Sequence, residues 1–202
     1  MIINIQGVSM RILGISGSPR ENGNTELIVK EALEGARLAG AIVEFIGLSG
    51  KCIEGCRACA QCGEGGKCCI DDDMQALYPK LVGSDAIIIG SPIYFGMITS
   101  QTKAFIDRTY FLAKTGRKLE NKVGAAITVG GRAGHEFSAA YLMDFMTLQG
   151  MVLPGKAFAQ SFSRELGAVV REEKAMKEAR ALGERVVKLA SKLNAPEATS
   201  SK

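Results

Sequence analysis

The residue type that stands out in this sequence is cysteine, because all six cysteines lie between Cys52 and Cys69. A disulfide scaffold spreads its cysteines across the fold to close long loops, whereas this chain places them in one short segment. Such a group of thiols can form a metal centre or act as redox-active groups. Four of the six follow a compact pattern, Cys56-x2-Cys59-x2-Cys62-x5-Cys68.

A second segment, residues 16–25, carries groups that could bind a phosphate ester. It contains neither a Gly-x-Gly-x-x-Gly dinucleotide motif nor a P-loop. It does offer hydroxyl groups, the guanidinium of Arg20 and the free amides at the start of a predicted helix, which are the groups that hold a phosphate monoester. A plain connecting loop is the alternative interpretation, and the position directly after a buried strand favours the anion site.

Two further loops could bind a flat ring. Ile93, Tyr94 and Phe95 place apolar and aromatic side chains at the end of a strand, where they suit an aromatic ligand or fill a subunit interface. Gly130 and Gly131 provide bare backbone that can approach a ring closely. A phosphate loop, an aromatic loop and a glycine loop together predict an FMN site, if the fold brings the three loops to one place.

The elements that must position these loops alternate along the chain. Alternating strands and helices predict a parallel sheet with helices on both faces. Five strands at this length indicate an α/β, flavodoxin-like doubly wound sheet of order 2-1-3-4-5, whose ligands bind beyond the carboxyl ends of the strands. The predicted strands are 10–15, 41–46, 86–90, 123–129 and a fifth that opens at 151–153, and the predicted helices are 25–38, 74–82, 100–114, 136–149 and 172–193.

Length and charge narrow the class of protein. The 202 residues are enough for one domain, which we expect to span residues 10–193 with a cysteine loop at 51–70, an N-terminal extension at 1–9 and a flexible tail at 194–202. A net charge of +4 is too small to indicate nucleic acid binding. No apolar run is long enough for a membrane helix, and no secretion signal is evident, so we expect a cytoplasmic protein without membrane partners.

From about Met10 to about Ala190, the chain resembles the NADPH-dependent FMN reductase family, and four segments carry the resemblance. They are Ser16-Gly17-Ser18-Pro19-Arg20, Gly23-Asn24-Thr25, Asp72-Asp73-Met74 and Gly90-Ser91-Pro92-Ile93-Tyr94-Phe95-Gly96. The resemblance implies that the first loop binds the FMN phosphate, the second lies along the isoalloxazine and ribityl chain, and the glycine loop closes the site. The residues implied are Ser16, Ser18, Pro19, Arg20, Asn24, Thr25, Pro92, Ile93, Tyr94, Phe95, Gly96, Gly130 and Gly131.

The cysteine pattern resembles that of the iron–sulfur flavoproteins, a branch of the same family that carries a [4Fe–4S] cluster beside FMN. The resemblance implies Cys56, Cys59, Cys62 and Cys68 as ligands. Two-residue gaps can wrap a loop around three corners of a cubane, whereas structural zinc usually takes Cys-x2-Cys pairs about a dozen or more residues apart. Clusterless relatives keep cysteines equivalent to three of these positions, and Cys62 separates the two branches. Cys69 is an alternative fourth ligand.

These resemblances imply an FMN-dependent oxidoreductase that needs no catalytic side chain, because its cofactors carry the chemistry. Electrons would pass from a ferredoxin-like donor or NAD(P)H, through the cluster and FMN, to a small-molecule acceptor. The alternative is a clusterless NAD(P)H-dependent FMN or quinone reductase with redox-active cysteines. A third interpretation is a binding module whose cysteines hold zinc. Family members form homodimers or homotetramers, so we expect a homo-oligomer.

Overall fold

The computed structural model describes residues 9–63 and 66–195. Its centre is a sheet of five parallel strands, to which a short sixth strand adds a hairpin. The strands are β1 (Arg11–Ser16), β2 (Ile42–Gly47), β3 (Ala86–Tyr94), β4 (Met97–Ile98), β5 (Val123–Val129) and β6 (Phe158–Ser161). The parallel strands follow the order β2-β1-β3-β5-β6, and β4 pairs antiparallel with the end of β3.

The predicted flavodoxin-like architecture is confirmed, and its strands differ from the prediction in two details. Counted without the hairpin strand β4, the parallel strands have the predicted order 2-1-3-4-5. The hairpin is an addition, closed by Phe95 and Gly96, whose φ angles of 51° and 83° suit a tight two-residue turn. The predicted fifth strand at 151–153 is wrong, because Val152 makes only a single bridge to Val123. Pro154 follows and has no amide hydrogen to continue the ladder, so the strand forms later.

Helices cover both faces of the sheet. They are α1 (Asn24–Leu38), α2 (Met74–Gly83), α3 (Ser100–Arg108), α4 (Tyr110–Lys114), α5 (His135–Leu148) and α6 (Glu173–Leu193). The predicted single helix over 100–114 is divided at Thr109, whose hydroxyl donates to the carbonyl of Ile106 at 2.7 Å and competes with the helical bonding pattern. The other helices lie within one residue of their predicted ends.

Two hydrophobic cores form because successive strand residues point to opposite faces. Ile12 and Ile88 pack under α1 and α6, while Leu13 and Ile87 pack under α2 to α5. These alternating apolar strands hold the carboxyl ends of β1, β3 and β5 side by side. The loops that follow those ends therefore meet at one edge of the sheet.

Several sequence-based expectations fall outside what the structure describes. The predicted extension at 1–9 and tail at 194–202 lie almost wholly outside the described residues, and the single-domain boundaries at 10–193 stay a prediction. None of the helices in the described part of the chain has the length and apolar character needed to cross a membrane.

Candidate functional site

A cavity of about 210 Å³ lies at the carboxyl ends of the parallel strands. The loops after β1, β3 and β5 converge on it, as the topology requires. Its lining includes most of the predicted cofactor-binding residues, namely Ser18, Arg20, Asn24, Thr25, Pro92, Ile93, Tyr94, Gly130 and Gly131. Sequence segments that are more than 100 residues apart therefore form one site.

Hydrogen bonds within the loop after β1 stabilise its turn. The Ser18 hydroxyl accepts from the amide of Arg20 at 3.1 Å, and Gly23 occupies the N-cap of α1. A glycine has no side chain to cap the helix, so the first-turn amides of α1 receive no side-chain cap. The nearby carboxylate of Glu26 is balanced by Lys30 at 2.6 Å, which leaves this end of the cavity suited to an anion.

Gly17 allows the phosphate loop to approach α3. Its amide donates to the carbonyl of Gly90 at 2.7 Å, and its own carbonyl accepts from the hydroxyl of Thr99 at 2.7 Å. A Cβ atom at this position would lie 1.8 Å from the Thr102 hydroxyl oxygen. The loop therefore sits where it does because residue 17 has no side chain.

A fourth loop, after β6, completes the cavity and was not predicted. Ser163, Arg164 and Leu166 line it. The side chain of Asn24 holds this loop, because its amide nitrogen donates to the carbonyl of Glu165 at 2.7 Å and its oxygen accepts from the amide of Val169 at 3.2 Å. The misplaced fifth strand hid this loop, although a polar Ser-Arg segment after an apolar run could have signalled it.

Glu172 anchors the same loop from the other side. Its carboxylate accepts from the hydroxyls of Ser161 and Ser163 at 2.6 and 2.9 Å. Arg164 closes the connection to the glycine loop by donating to the carbonyl of Gly131 at 2.9 Å. These bonds fix the width of the cavity between the loops after β5 and β6.

Four predicted residues lie outside this cavity. Ser16 is buried at the end of β1, and Pro19 accepts a hydrogen bond from Ser49 through its carbonyl at 2.9 Å. Phe95 and Gly96 form the hairpin tip and line an adjoining cavity of about 330 Å³. The two cavities share Ile93, Gly130, Gly131 and Arg164, so together they form one elongated site.

His135 supports the glycine loop from within. Its ring is buried, and its Nε2 lies 3.0 Å from the carbonyl of Gly130, to which it donates because a carbonyl can only accept. Its Nδ1 lies 3.3 Å from the Thr128 hydroxyl, and its ring packs against Phe162 at 4.2 Å between centroids. α5 begins at this residue.

The four predicted cluster ligands differ in their exposure. Cys62 is half-buried, Cys68 is buried, and Cys56 and Cys59 are exposed. Burial raises the pKa of Cys62, and the neighbouring charges of Cys68, Cys56 and Cys59 raise it further.

Cys69 instead lies next to Cys59, with 3.3 Å between the two sulfur atoms. A hydrogen bond from the amide of Gln61 and one shared with Cys69 lower the pKa of Cys59, and the same shared bond raises the pKa of Cys69. Within residues 9–63 and 66–195, no three thiol, imidazole or carboxylate groups converge closely enough to hold a single metal ion. The four thiolates of a [4Fe–4S] cubane each bind a different iron, so they surround a larger volume than the ligands of a single ion do.

A buried ion pair lies at the base of the cysteine loop. The guanidinium of Arg108, at the end of α3, donates to both carboxylate oxygens of Asp72 at 2.5 and 3.0 Å. The exposed fractions of the two side chains are 1% and 4%. Arg108 also donates to the carbonyls of Glu54 and Ile70, which precede and follow the segment from Cys56 to Cys69. One side chain thus joins the two ends of the loop.

Asp72 and its neighbours complete this base. Burial alone would raise the pKa of Asp72, but hydrogen bonds from Arg108 and from the amides of Glu54 and Met74 outweigh it and hold the pKa below its usual value. Asp73 accepts from the amide of Cys52 at 2.7 Å. The sequence placed these acids at the start of a helix, and the structure shows that they also fasten the cysteine loop to it.

Comparison with known proteins identifies the family to which the chain belongs. Residues 10–165 match the family described as NADPH-dependent FMN reductase. An iron-sulfur flavoprotein of Methanocaldococcus jannaschii is 41% identical over 148 residues, which cover 72% of this chain and 76% of that protein. An iron-sulfur flavoprotein of Methanosarcina thermophila is 40% identical over 148 residues, which cover 72% of this chain and 78% of that protein.

Solved structures share the fold at low sequence identity. A flavodoxin, WrbA-like protein from Agrobacterium tumefaciens has a TM-score of 0.63 at 20% identity, covering 92% of this chain and 99% of that one. A flavodoxin from the domain Archaea has a TM-score of 0.62 at 16% identity, covering 90% and 99%. At these identities, the likeness supports the flavodoxin-like architecture alone.

Proposed function

Because the chain belongs to the NADPH-dependent FMN reductase family and is an FMN-dependent oxidoreductase, we propose that it is an iron–sulfur flavoprotein. It passes electrons from a donor to a small-molecule acceptor through a [4Fe–4S] cluster and FMN. The observation that carries the cluster is the compact spacing of four cysteines in one loop, Cys56-x2-Cys59-x2-Cys62-x5-Cys68. Relatives that share about 40% of the aligned residues are named iron-sulfur flavoproteins.

The elongated site at the sheet edge suits FMN in one orientation. Ser18, Arg20, Thr25 and the uncapped amides of α1 would hold the phosphate at one end. The aromatic loop and the bare backbone of the glycine loop would hold the flavin ring at the other end. Asn24 acts by holding the loop after β6, because its side-chain amide is already occupied there.

The residues of the cysteine loop fit an anionic cluster. Four thiolates are the donor set of a [4Fe–4S] centre. At the base of the loop, the guanidinium of Arg108 is paired with Asp72, and its Nε has no hydrogen-bond partner among the described residues. The cluster exchanges single electrons and FMN exchanges one or two, so the pair connects a one-electron donor with a two-electron acceptor.

The donor is a ferredoxin-like protein or NAD(P)H, and the acceptor is a small molecule that reaches the ring end of the site. The chain acts as a homodimer or homotetramer in the cytoplasm. Exposed apolar side chains beside the site support the oligomer, since Phe95 and Phe137 are both largely accessible.

The test is the content of iron, acid-labile sulfide and FMN in protein purified without oxygen. We expect about four iron, four sulfide and one FMN per chain. Cys62→Ala should lose iron and sulfide but keep FMN, because Cys62 lies outside the FMN cavity. Cys52→Ala is the matched control, since Cys52 is an exposed cysteine outside the proposed ligand set.

Two results would contradict the proposal. FMN without iron or sulfide in the anaerobic wild-type protein would exclude the cluster. Unchanged iron in the Cys62→Ala variant would show that the ligand assignment is wrong, even if a cluster is present.

A clusterless NAD(P)H-dependent FMN or quinone reductase with redox-active cysteines is the second candidate. A relative of Archaeoglobus fulgidus named NAD(P)H dehydrogenase (quinone) is 37% identical over 122 residues, which cover 56% of this chain and 63% of that protein. The close approach of Cys59 and Cys69 also suits redox thiols. This candidate predicts rapid NAD(P)H oxidation by protein that contains FMN but no iron.

A further inference from the structure

Cys59 and Cys69 form a pair of neighbouring thiols that the proposed function does not use as a pair. Their sulfur atoms are 3.3 Å apart, and both residues are exposed. Of these two, only Cys59 belongs to the proposed ligand set. Among the six cysteines, all of which the structure describes, no other two make a sulfur–sulfur contact of this kind.

The chain segments on either side of Cys59 and Cys69 have defined conformations. The side-chain amide nitrogen of Gln75 donates to the carbonyls of Cys68 and Ile70 at 2.9 and 2.6 Å, and so fixes the chain on either side of Cys69. Ala58 and Ala60, with φ angles of 51° and 60°, flank Cys59 in the left-handed region. Two such residues around one position make a sharp turn, which presents Cys59 toward Cys69.

The remaining cysteines have other surroundings. Cys68 is buried among apolar side chains near Cys62, and Cys52 is an exposed thiol before the turn. Neither makes a sulfur–sulfur contact with Cys59 of the kind that Cys69 makes. Cys69 is therefore exposed beside Cys59, whereas its neighbour in sequence, Cys68, is buried.

We propose that Cys59 and Cys69 form a reversible disulfide, which removes one thiolate from the cluster ligands. The disulfide itself depends only on the geometry of the two thiols. Its consequence, that the oxidised chain cannot take up a cluster, rests on the proposed function. Cluster uptake is then low when small disulfides are abundant around the protein and high when small thiols are abundant.

The oxidant is a low-molecular-weight disulfide, and the step is thiol–disulfide exchange. One thiol of the pair, as its thiolate, attacks a sulfur of the small disulfide, and one small thiolate leaves. The second protein thiolate then attacks the mixed disulfide and expels the other small thiolate. The two protein thiols are oxidised, the small disulfide is reduced to two thiols, and these carry the two protons.

The test uses the full chain, reduced and then treated with oxidised glutathione. We expect a mass lower by two hydrogens, and a linked pair of peptides containing Cys59 and Cys69. Cys52→Ser should behave as the wild type does. Cys69→Ser should form no intramolecular disulfide and should instead retain glutathione at Cys59. A linkage between any other two cysteines in the wild type would overturn the proposal.

Iron and sulfide uptake tests the consequence. We expect the oxidised wild type to take up at least tenfold less iron than the reduced wild type, and a thiol reductant to restore uptake. Reduced Cys69→Ser should take up as much iron as the reduced wild type, because Cys69 is outside the proposed ligand set. Bound FMN in each variant reports that the fold is intact.

The outcomes separate this inference from the proposed function. If reduced Cys69→Ser takes up no iron while the wild type does, Cys69 is a ligand and the switch is wrong. If the reduced wild type takes up no iron, the proposed function fails, and the mass measurement alone decides the disulfide.

Discussion

At the scale of single residues, the absence of a side chain positions the phosphate loop. Gly17 lies between the carbonyl of Gly90 and the hydroxyl groups of Thr99 and Thr102. The Thr99 hydroxyl also caps α3 by accepting from the amide of Thr102 at 3.3 Å. The loop that we propose to hold the phosphate is thereby joined to the start of α3, the helix that follows the aromatic loop.

Gly17→Ala should disturb this junction. The new methyl group would lie 1.8 Å from the Thr102 hydroxyl oxygen, so the loop or the helix must move. We expect a loss of about 1–3 kcal/mol in the free energy of unfolding and about tenfold weaker FMN binding. Denaturant unfolding and flavin fluorescence titration measure these two quantities.

Gly155→Ala is the control for that variant, because a Cβ atom there meets nothing within 4 Å. It should leave both quantities unchanged. Wild-type FMN affinity in Gly17→Ala would show that the phosphate does not bind beside this loop.

At the scale of the elements, a long loop without regular strands is fastened at its base. Arg108 and Asp72 join the entry of the cysteine loop, at Glu54, to its exit, at Ile70. Burial raises the pKa of Tyr78, whose hydroxyl donates to the carbonyl of Arg108 at 3.1 Å and adds α2 to the same network. These bonds fix the two ends of the loop that carries the thiols.

Arg108→Gln should destabilise this base, because it leaves the Asp72 carboxylate buried without its cation. Removing one partner of a buried ion pair costs about 3–5 kcal/mol. We expect that loss in the free energy of unfolding, together with faster reaction of Cys68 with a thiol reagent in the native protein. Arg37→Gln, which removes an exposed ion pair with Glu34, is the control and should change neither.

An unchanged rate of Cys68 modification in Arg108→Gln would contradict the role of the ion pair at the loop base. The rate matters because a loss of stability alone would follow from disrupting any buried ion pair.

At the scale of the whole molecule, the sheet separates two cores and collects the site at one edge. The buried ion pair belongs to the side of the sheet that carries α2 to α5, and it makes the stability of the whole fold depend on pH. The folded pKa of Asp72 is lower than its unfolded value of about 3.9. Its contribution is therefore complete above that value and is lost as the pH falls through the folded pKa.

Asp72→Asn should be less stable than the wild type at neutral pH, and the difference should shrink as the pH falls below about 4. Asp71→Asn is the matched control, since Asp71 is the adjacent carboxylate and its side chain is 93% exposed. Its stability curve should follow that of the wild type. Free energies of unfolding between neutral and acid pH measure the effect, and a constant difference between Asp72→Asn and wild type would contradict it.

Most of the fold could be predicted from local patterns. Continuous apolar runs such as 86–90 and 123–129 mark strands that are buried on both faces, and they form the centre of the sheet. The prediction failed at the edge strand near Val152, where a short apolar run is ended by Pro154. It also failed at Thr109, because the competing hydrogen bond of one hydroxyl is not visible in a hydrophobic pattern.

The sequence by itself determined the kinds of chemistry available to this protein. Residue type sets whether a group can ligate iron, bind a phosphate or approach a ring, and spacing sets which groups share a loop. Only the tertiary structure decided which groups meet. Asn24 turns to the loop after β6, Cys69 meets Cys59 rather than Cys62, and Arg108 joins the ends of the cysteine loop. These contacts link residues distant along the chain, so their partners are chosen by the packing of strands and helices rather than by neighbouring sequence.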